Sequence, residues 1–153
     1  MIARQEVIFN KLSVEDLVFK FKPVLRGYAP VRLCQYGSIT KKQFLKLLIV
    51  LNSCNGFIKP NMVYIYLDKP FKVPNNLKYL INEGYLIINC SNQLTYNYFK
   101  KQGLRTNLII SKDKHTVEQY FKEDKAFKYC CGNCTVCNYC MHYQKEPILF
   151  KNH

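Results

Sequence analysis

The chain has 153 residues, a length that suits one ordinary domain with a small appended module. An apolar content of 48% is enough to build a core and excludes global disorder. The formal charge of +13 favours a polyanionic partner, with nucleic acid first, DNA ahead of RNA, over an anionic surface or an acidic protein.

The longest aliphatic run, Leu47 to Leu51, is too short to span a bilayer, so no membrane partner is expected. The first residues, Met1 to Glu6, mix charge signs where a signal peptide needs an apolar region. The reading is an intracellular protein, in the nucleus or cytoplasm of a host cell if viral or eukaryotic. The abundance of Lys, Asn, Ile and Tyr fits an AT-rich genome, for instance a viral one.

Residues 1–37 read as an N-terminal leader packing on the core. Ser13 can cap a short helix, and Pro23 and Pro30 are expected to interrupt its continuation. Thr40 can cap a helix over 41–53, with Phe44, Leu47, Leu48 and Leu51 on one face. Pro60 suits the first turn of a second helix through Val63, Tyr66 and Leu67. Pro74 then opens a third, about 74–83, with Leu77, Leu80 and Ile81 as its apolar stripe and Gly84 as its stop. An extended run over 85–89 follows, then a polar turn at 90–93 and a short Leu94-Thr95 strand. Thr95 can cap a further helix to Gln102.

Leu77, Leu80, Ile81, Gly84-Tyr85-Leu86, Leu94-Thr95 and Gly103-Leu104 together resemble the cadence of winged helix-turn-helix domains over residues 38–104. The resemblance implies an α+β fold of three helices and a two-stranded wing, in a domain spanning 38–106. It also implies that helix 3 reads nucleic acid, with Asn75, Asn76, Lys78, Tyr79 and Asn82 facing outward. Lys41, Lys42, Lys100, Lys101 and Arg105 are the candidates for holding the phosphate backbone.

Residues 107–153 read as a basic connecting helix followed by a metal-stapled, cysteine-rich module. Five of the eight cysteines lie between Cys130 and Cys140, a density that in a reducing compartment points to metal. Cys131, Cys134, Cys137 and Cys140 are spaced C-x2-C-x2-C-x2-C, and thiolates suit Zn2+ or an iron–sulfur cluster. Cys130, His115 and His142 are the alternative ligands. Cys34, Cys54 and Cys90 read as buried thiols. Tyr120-Phe121 and Cys131-Gly132-Asn133-Cys134 with Cys137 resemble the zinc subdomain of RecQ-family helicases. In that family a ligand precedes the Tyr-Phe pair, and His115 is the residue nearest that place, so the resemblance implies zinc with His115 as an alternative fourth ligand. The iron–sulfur reading rests on the likeness of C-x2-C-x2-C to the start of the bacterial ferredoxin run.

No phosphate-cradling glycine loop, His-Glu-x-x-His or Gly-x-Ser-x-Gly is present, so the protein is not read as an enzyme. The expectation is a zinc-containing nucleic-acid-binding factor in transcription or replication. The alternatives are a protein-docking subunit of a larger polymerase, helicase or ribosomal assembly, and an iron–sulfur winged-helix regulator.

Overall fold

The computed structural model describes residues 10–27, 31–33, 39–111, 119, 122–123, 128–129, 140 and 142–150. Helix α1 (Val14–Leu25) begins where the Ser13 hydroxyl accepts the Asp16 N–H at 3.1 Å, with Glu15 and Asp16 in the first turn. It does not stop before Pro23 as the sequence suggests. Leu17 and Leu25, both buried, hold it on either side of the proline, whose missing N–H falls in the helix's last turn, beside exposed Val24. Strand β1 (Val31–Leu33) follows.

Helix α2 (Lys41–Ser53) spans the expected range and starts with a capping box: Gln43 N–H donates to Thr40 Oγ1, and Thr40 N–H to Gln43 Oε1. Its buried face is Phe44, Leu47, Leu48, Val50 and Leu51. The expected second helix is instead strand β2 (Val63–Leu67), in which Val63, Ile65 and Leu67 are buried and Tyr64 and Tyr66 are only half-buried. The β-branched and aromatic alternation fits a pleat better than a helix. Just ahead of it, Asn61 takes φ of 60°, and its N–H donates to Gly84 O at 2.8 Å. Gly84 itself sits at φ 85°, where a side chain would be strained.

A 3-10 turn (Asn75–Leu77) and helix α3 (Lys78–Asn82) occupy the place of the expected third helix. Strand β3 (Ile87–Cys90) matches the extended run. Helix α4 (Gln93–Lys101) starts earlier than expected, because Asn92 rather than Thr95 is the cap: its Oδ1 accepts Thr95 N–H at 2.8 Å. The Thr95 side chain is buried instead. Residues 107–111, expected to open a basic helix, form strand β4 (Asn107–Ser111), and β5 (Lys128–Tyr129) and β6 (Ile148–Phe150) complete the sheet.

The sheet order is β1-β2-β3-β4-β6-β5, with every pairing parallel. Helices and strands are thus mixed, as the α+β expectation has it. The two-stranded wing is not what residues 85–95 form: β3 has parallel neighbours on both sides, and Leu94 and Thr95 belong to α4. The sheet also continues from β3 into β4, across the expected boundary at residue 106.

Strands β1 to β4 lie side by side in chain order, and right-handed crossovers between such strands return on one face. Accordingly α2, α3 and α4 share a single core with Val63, Ile65, Leu67, Leu86, Ile88 and Cys90. α1 packs beside α2. The opposite face carries Arg32, Tyr64, Tyr66, Ile87, Asn89 and Asn107, by the register of the four strands.

Of the scattered cysteines, Cys54 and Cys90 are fully buried, and Cys34 lies outside the described residues. Burial raises both thiols, Cys90 to about 11 even though its contact with Thr106 pulls it down. Native protein treated with iodoacetamide at pH 8 should therefore leave both unmodified, while denatured protein reacts at both. Peptide mapping that finds Cys90 alkylated in the native state would contradict this burial.

Candidate functional site

The face of the sheet away from the helices is where the C-terminal residues converge. Asn89 on β3 and Asn107 on β4 are register partners, both fully buried, in strands otherwise made almost wholly of apolar side chains. An amide buried in such surroundings is costly unless its donors and acceptors are met. They are met by each other and by Cys140, His142 and Gln144. Asn107 Nδ2 donates to Asn89 Oδ1 at 3.0 Å and to His142 O at 2.8 Å. Asn107 Oδ1 accepts Gln144 N–H at 2.8 Å, and Asn89 Nδ2 donates to Cys140 O at 3.0 Å.

Tyr66, the β2 partner of Asn89, brings its hydroxyl into hydrogen-bonding contact with the Cys140 side chain. Burial, the Cys140 contact and the charge there push the Tyr66 phenol up, so it stays protonated and able to donate; Arg32 opposes them only in part. The Arg32 guanidinium lies 4.3 Å from the Tyr66 ring centre, and the Tyr64 ring meets Tyr66 edge-on at 6.0 Å.

Of the candidate ligands, Cys140 is half-buried on this face and His142 is exposed two residues on. Cys130, Cys131, Cys134, Cys137 and His115 lie outside the described residues. Among the described residues no three His, Cys, Asp or Glu side chains come together as a metal-holding group.

The candidate nucleic-acid contacts divide into groups. Lys78, Asn82, Lys100, Lys101 and Arg105 gather around the turn that follows α4. Lys78 Nζ donates to Gln102 O at 2.9 Å. Asn82 is engaged at both ends of its amide, donating to Gly103 O at 3.3 Å and accepting Arg105 N–H at 3.0 Å. Arg105 lies over the Tyr143 ring at 5.1 Å, and exposed Lys100 lies over Tyr96 at 5.3 Å. Tyr79 donates its hydroxyl to Asn52 Oδ1. Burial first, and Glu83 second, raise that phenol. Asn75 and Asn76 are exposed in the 3-10 turn. Lys41 and Lys42, also exposed, stand at the start of α2, whereas Lys100 and Lys101 end α4, and between parallel strands the start and the end of a connecting helix lie toward opposite ends of the strands.

Sequence reading missed Tyr66, Asn89 and Asn107. The usable signal was an asparagine inside each of two apolar strand-like runs, 85–90 and 107–110, since a polar residue there needs a built partner.

The chain matches no family model, no curated protein and no solved structure. Among the described residues no helix is long and apolar enough to cross a membrane.

Proposed function

We propose that this protein is a small basic nucleic-acid-binding factor whose C-terminal cysteine-rich segment holds a structural zinc ion, working inside the cell in transcription or replication rather than as an enzyme. The observation that carries the nucleic-acid reading is the gathering of Lys78, Lys100, Lys101 and Arg105 around one turn, in a chain of net charge +13. Zinc is supported by the Cys131-to-Cys140 spacing. The same thiols could carry an iron–sulfur cluster, and visible absorbance of anaerobically purified protein separates that case from zinc.

Lys100 and Lys101 are exposed, at the last turn of α4. Removing both as Lys100→Ala/Lys101→Ala should weaken binding to every duplex and flatten the log–log salt slope by about one to two units. Salt-titrated anisotropy on DNA and RNA duplexes measures both quantities. Zinc-loaded wild type that binds neither at low salt would retire the reading.

One observation favours protein docking instead. Leu94 and Tyr98 stand one turn apart on α4, exposed by 74% and 39%. Loss of a protein partner in Leu94→Asp with nucleic-acid binding intact would support that second reading.

A further inference from the structure

We infer that Asn55 is a modification site. Its side chain closes spontaneously on Gly56 to a succinimide that opens to aspartate and isoaspartate, so the turn after α2 becomes a substrate for isoaspartyl carboxyl methylation as the protein ages. Neither zinc nor nucleic acid has a part in it.

Asn55-Gly56 is the one Asn-Gly pair in the chain. Both residues are exposed, directly after Cys54, the C-cap of α2. Hydrogen bonds close the turn around the pair: Phe57 N–H and Ile58 N–H both donate to Cys54 O at 3.1 Å, and Asn55 N–H donates to Asn52 O at 3.2 Å. Among the described residues, the Gly56 N–H and the Asn55 carboxamide meet no partner. A Cβ at Gly56 would find nothing within 4 Å, so the approach to the glycine nitrogen is open. Every other asparagine is followed by a residue with a Cβ, which crowds that approach. Several are also held. Asn89 and Asn107 are buried and paired, and Asn82 and Asn92 hold backbone N–H groups with their side-chain oxygens. Asn52 and Asn97 lie inside helices, where the next N–H is already bonded.

The step needs only water. The Gly56 nitrogen gives up its proton and attacks Asn55 Cγ. The new N–Cγ bond closes a cyclic imide as the Cγ–Nδ2 bond breaks, and ammonia leaves with that proton. Water then opens the ring at either carbonyl. Cleavage at Cγ gives aspartate; cleavage at the main-chain carbonyl gives isoaspartate, whose backbone runs through Cβ and Cγ.

Either product sets a carboxylate at the C-terminal end of α2, where the helix's own carbonyls already make the field negative. Isoaspartate also lengthens the chain between Cys54 and Phe57, inside the turn that those two residues close. Phe57 packs on the core, and Lys22 Nζ of α1 lies 5.3 Å from its ring centre. The isoaspartyl form should therefore loosen residues 54–58 and their contact with α1.

The test ages the full-length folded protein in warm, mildly alkaline buffer. Peptide mapping follows the loss of each amide, and a purified isoaspartyl carboxyl methyltransferase with labelled S-adenosylmethionine reports the isoaspartate. Asn55 should convert ahead of every other asparagine in residues 39–111, with the methyl label gathering on its peptide. Asn55→Gln should lose that label entirely. Gly56→Ala should lose most of it. The backbone at Gly56 is not left-handed and the added Cβ meets nothing, so this variant keeps the fold. Wild type unfolded in urea sets the reference rate. Folded protein that keeps the Asn55 amide after the unfolded chain has lost it overturns the inference, because the turn then holds the two groups apart. Gly56→Ala labelled as fast as wild type overturns it too.

Discussion

Phe44→Ala should destabilise the protein by about 3–5 kcal/mol, the range for deleting a fully buried aromatic. Phe44 is completely buried on α2 and stacks on Phe71, with ring centres 5.0 Å apart and planes inclined by 23°. Its edge meets Phe99 of α4 at 6.4 Å. One ring therefore joins two helices and the long connection between β2 and α3. Gln102 also holds that connection, accepting Val73 N–H at 2.7 Å and donating to Phe71 O at 2.9 Å. Truncating Phe44 leaves a cavity at this junction that the glutamine cannot fill. For a chain of this size the melting temperature should fall by roughly 2–4 °C for each kcal/mol lost. Ile49 lies on the same helix but is 45% exposed, and Ile49→Ala should cost under about 0.5 kcal/mol. Urea midpoints of the two variants check the contrast. Equal shifts would mean that α2 does not pack by the face assigned to it.

The same helix shows what a sequence can reveal. α2 carries its start signal, its stop and its apolar stripe within its own residues, and so does most of α4, where the cap is Asn92 rather than Thr95 and Leu94-Thr95 is helix rather than strand. β2 is different. Val63, Tyr66 and Leu67 fit a helical stripe, and a five-residue segment is too short for period alone to decide. The alternation through Tyr64 and Ile65 and the break at Asn61 were the better signals. β4 reads as an apolar run because parallel strands are buried on both sides, which hides their period. The Gly84-Tyr85-Leu86 cadence located a strand correctly but could not say which strand lies beside it. That choice, parallel β2 and β4 instead of a hairpin partner, is made by the crossovers.

Functional residues divide in the same way. The cysteine spacing is a local pattern and can be read directly. The outward-facing residues of α3 could be listed from a helical wheel, but that wheel could not show that Asn82 and Tyr79 spend their polar groups on Gly103, Arg105 and Asn52. Nor could it show an anchor made from three strands and a segment 33 residues beyond Asn107, the span from there to Cys140.

Asn107→Leu should unfasten that segment, at a net cost of about 1–3 kcal/mol, since the fully buried Asn89 carbonyl loses this donor at about 1–3 kcal/mol and two part-buried bonds of about 0.5–1.5 kcal/mol each go with it. Three groups lose Asn107 together: the Asn89 side-chain carbonyl, the His142 carbonyl and the Gln144 N–H. Leucine returns part of the loss as apolar burial, on the order of 1–2 kcal/mol, but offers none of them a hydrogen bond. Asn107→Asp should be no milder. A carboxylate can still accept from Gln144, yet it donates to nothing, and it sets a buried negative charge against the Asn89 and His142 oxygens. The damage should be confined to one side of the sheet. The core beneath α2, α3 and α4 is built from the opposite faces of β2 and β3 and does not use the amide. Hydrogen exchange distinguishes this from general loosening: amides of residues 142–148 should lose protection in Asn107→Leu, while those of α2 and β2 keep most of theirs. Protection lost evenly across all of these would show that Asn107 supports the whole fold rather than the docking of its C-terminal segment.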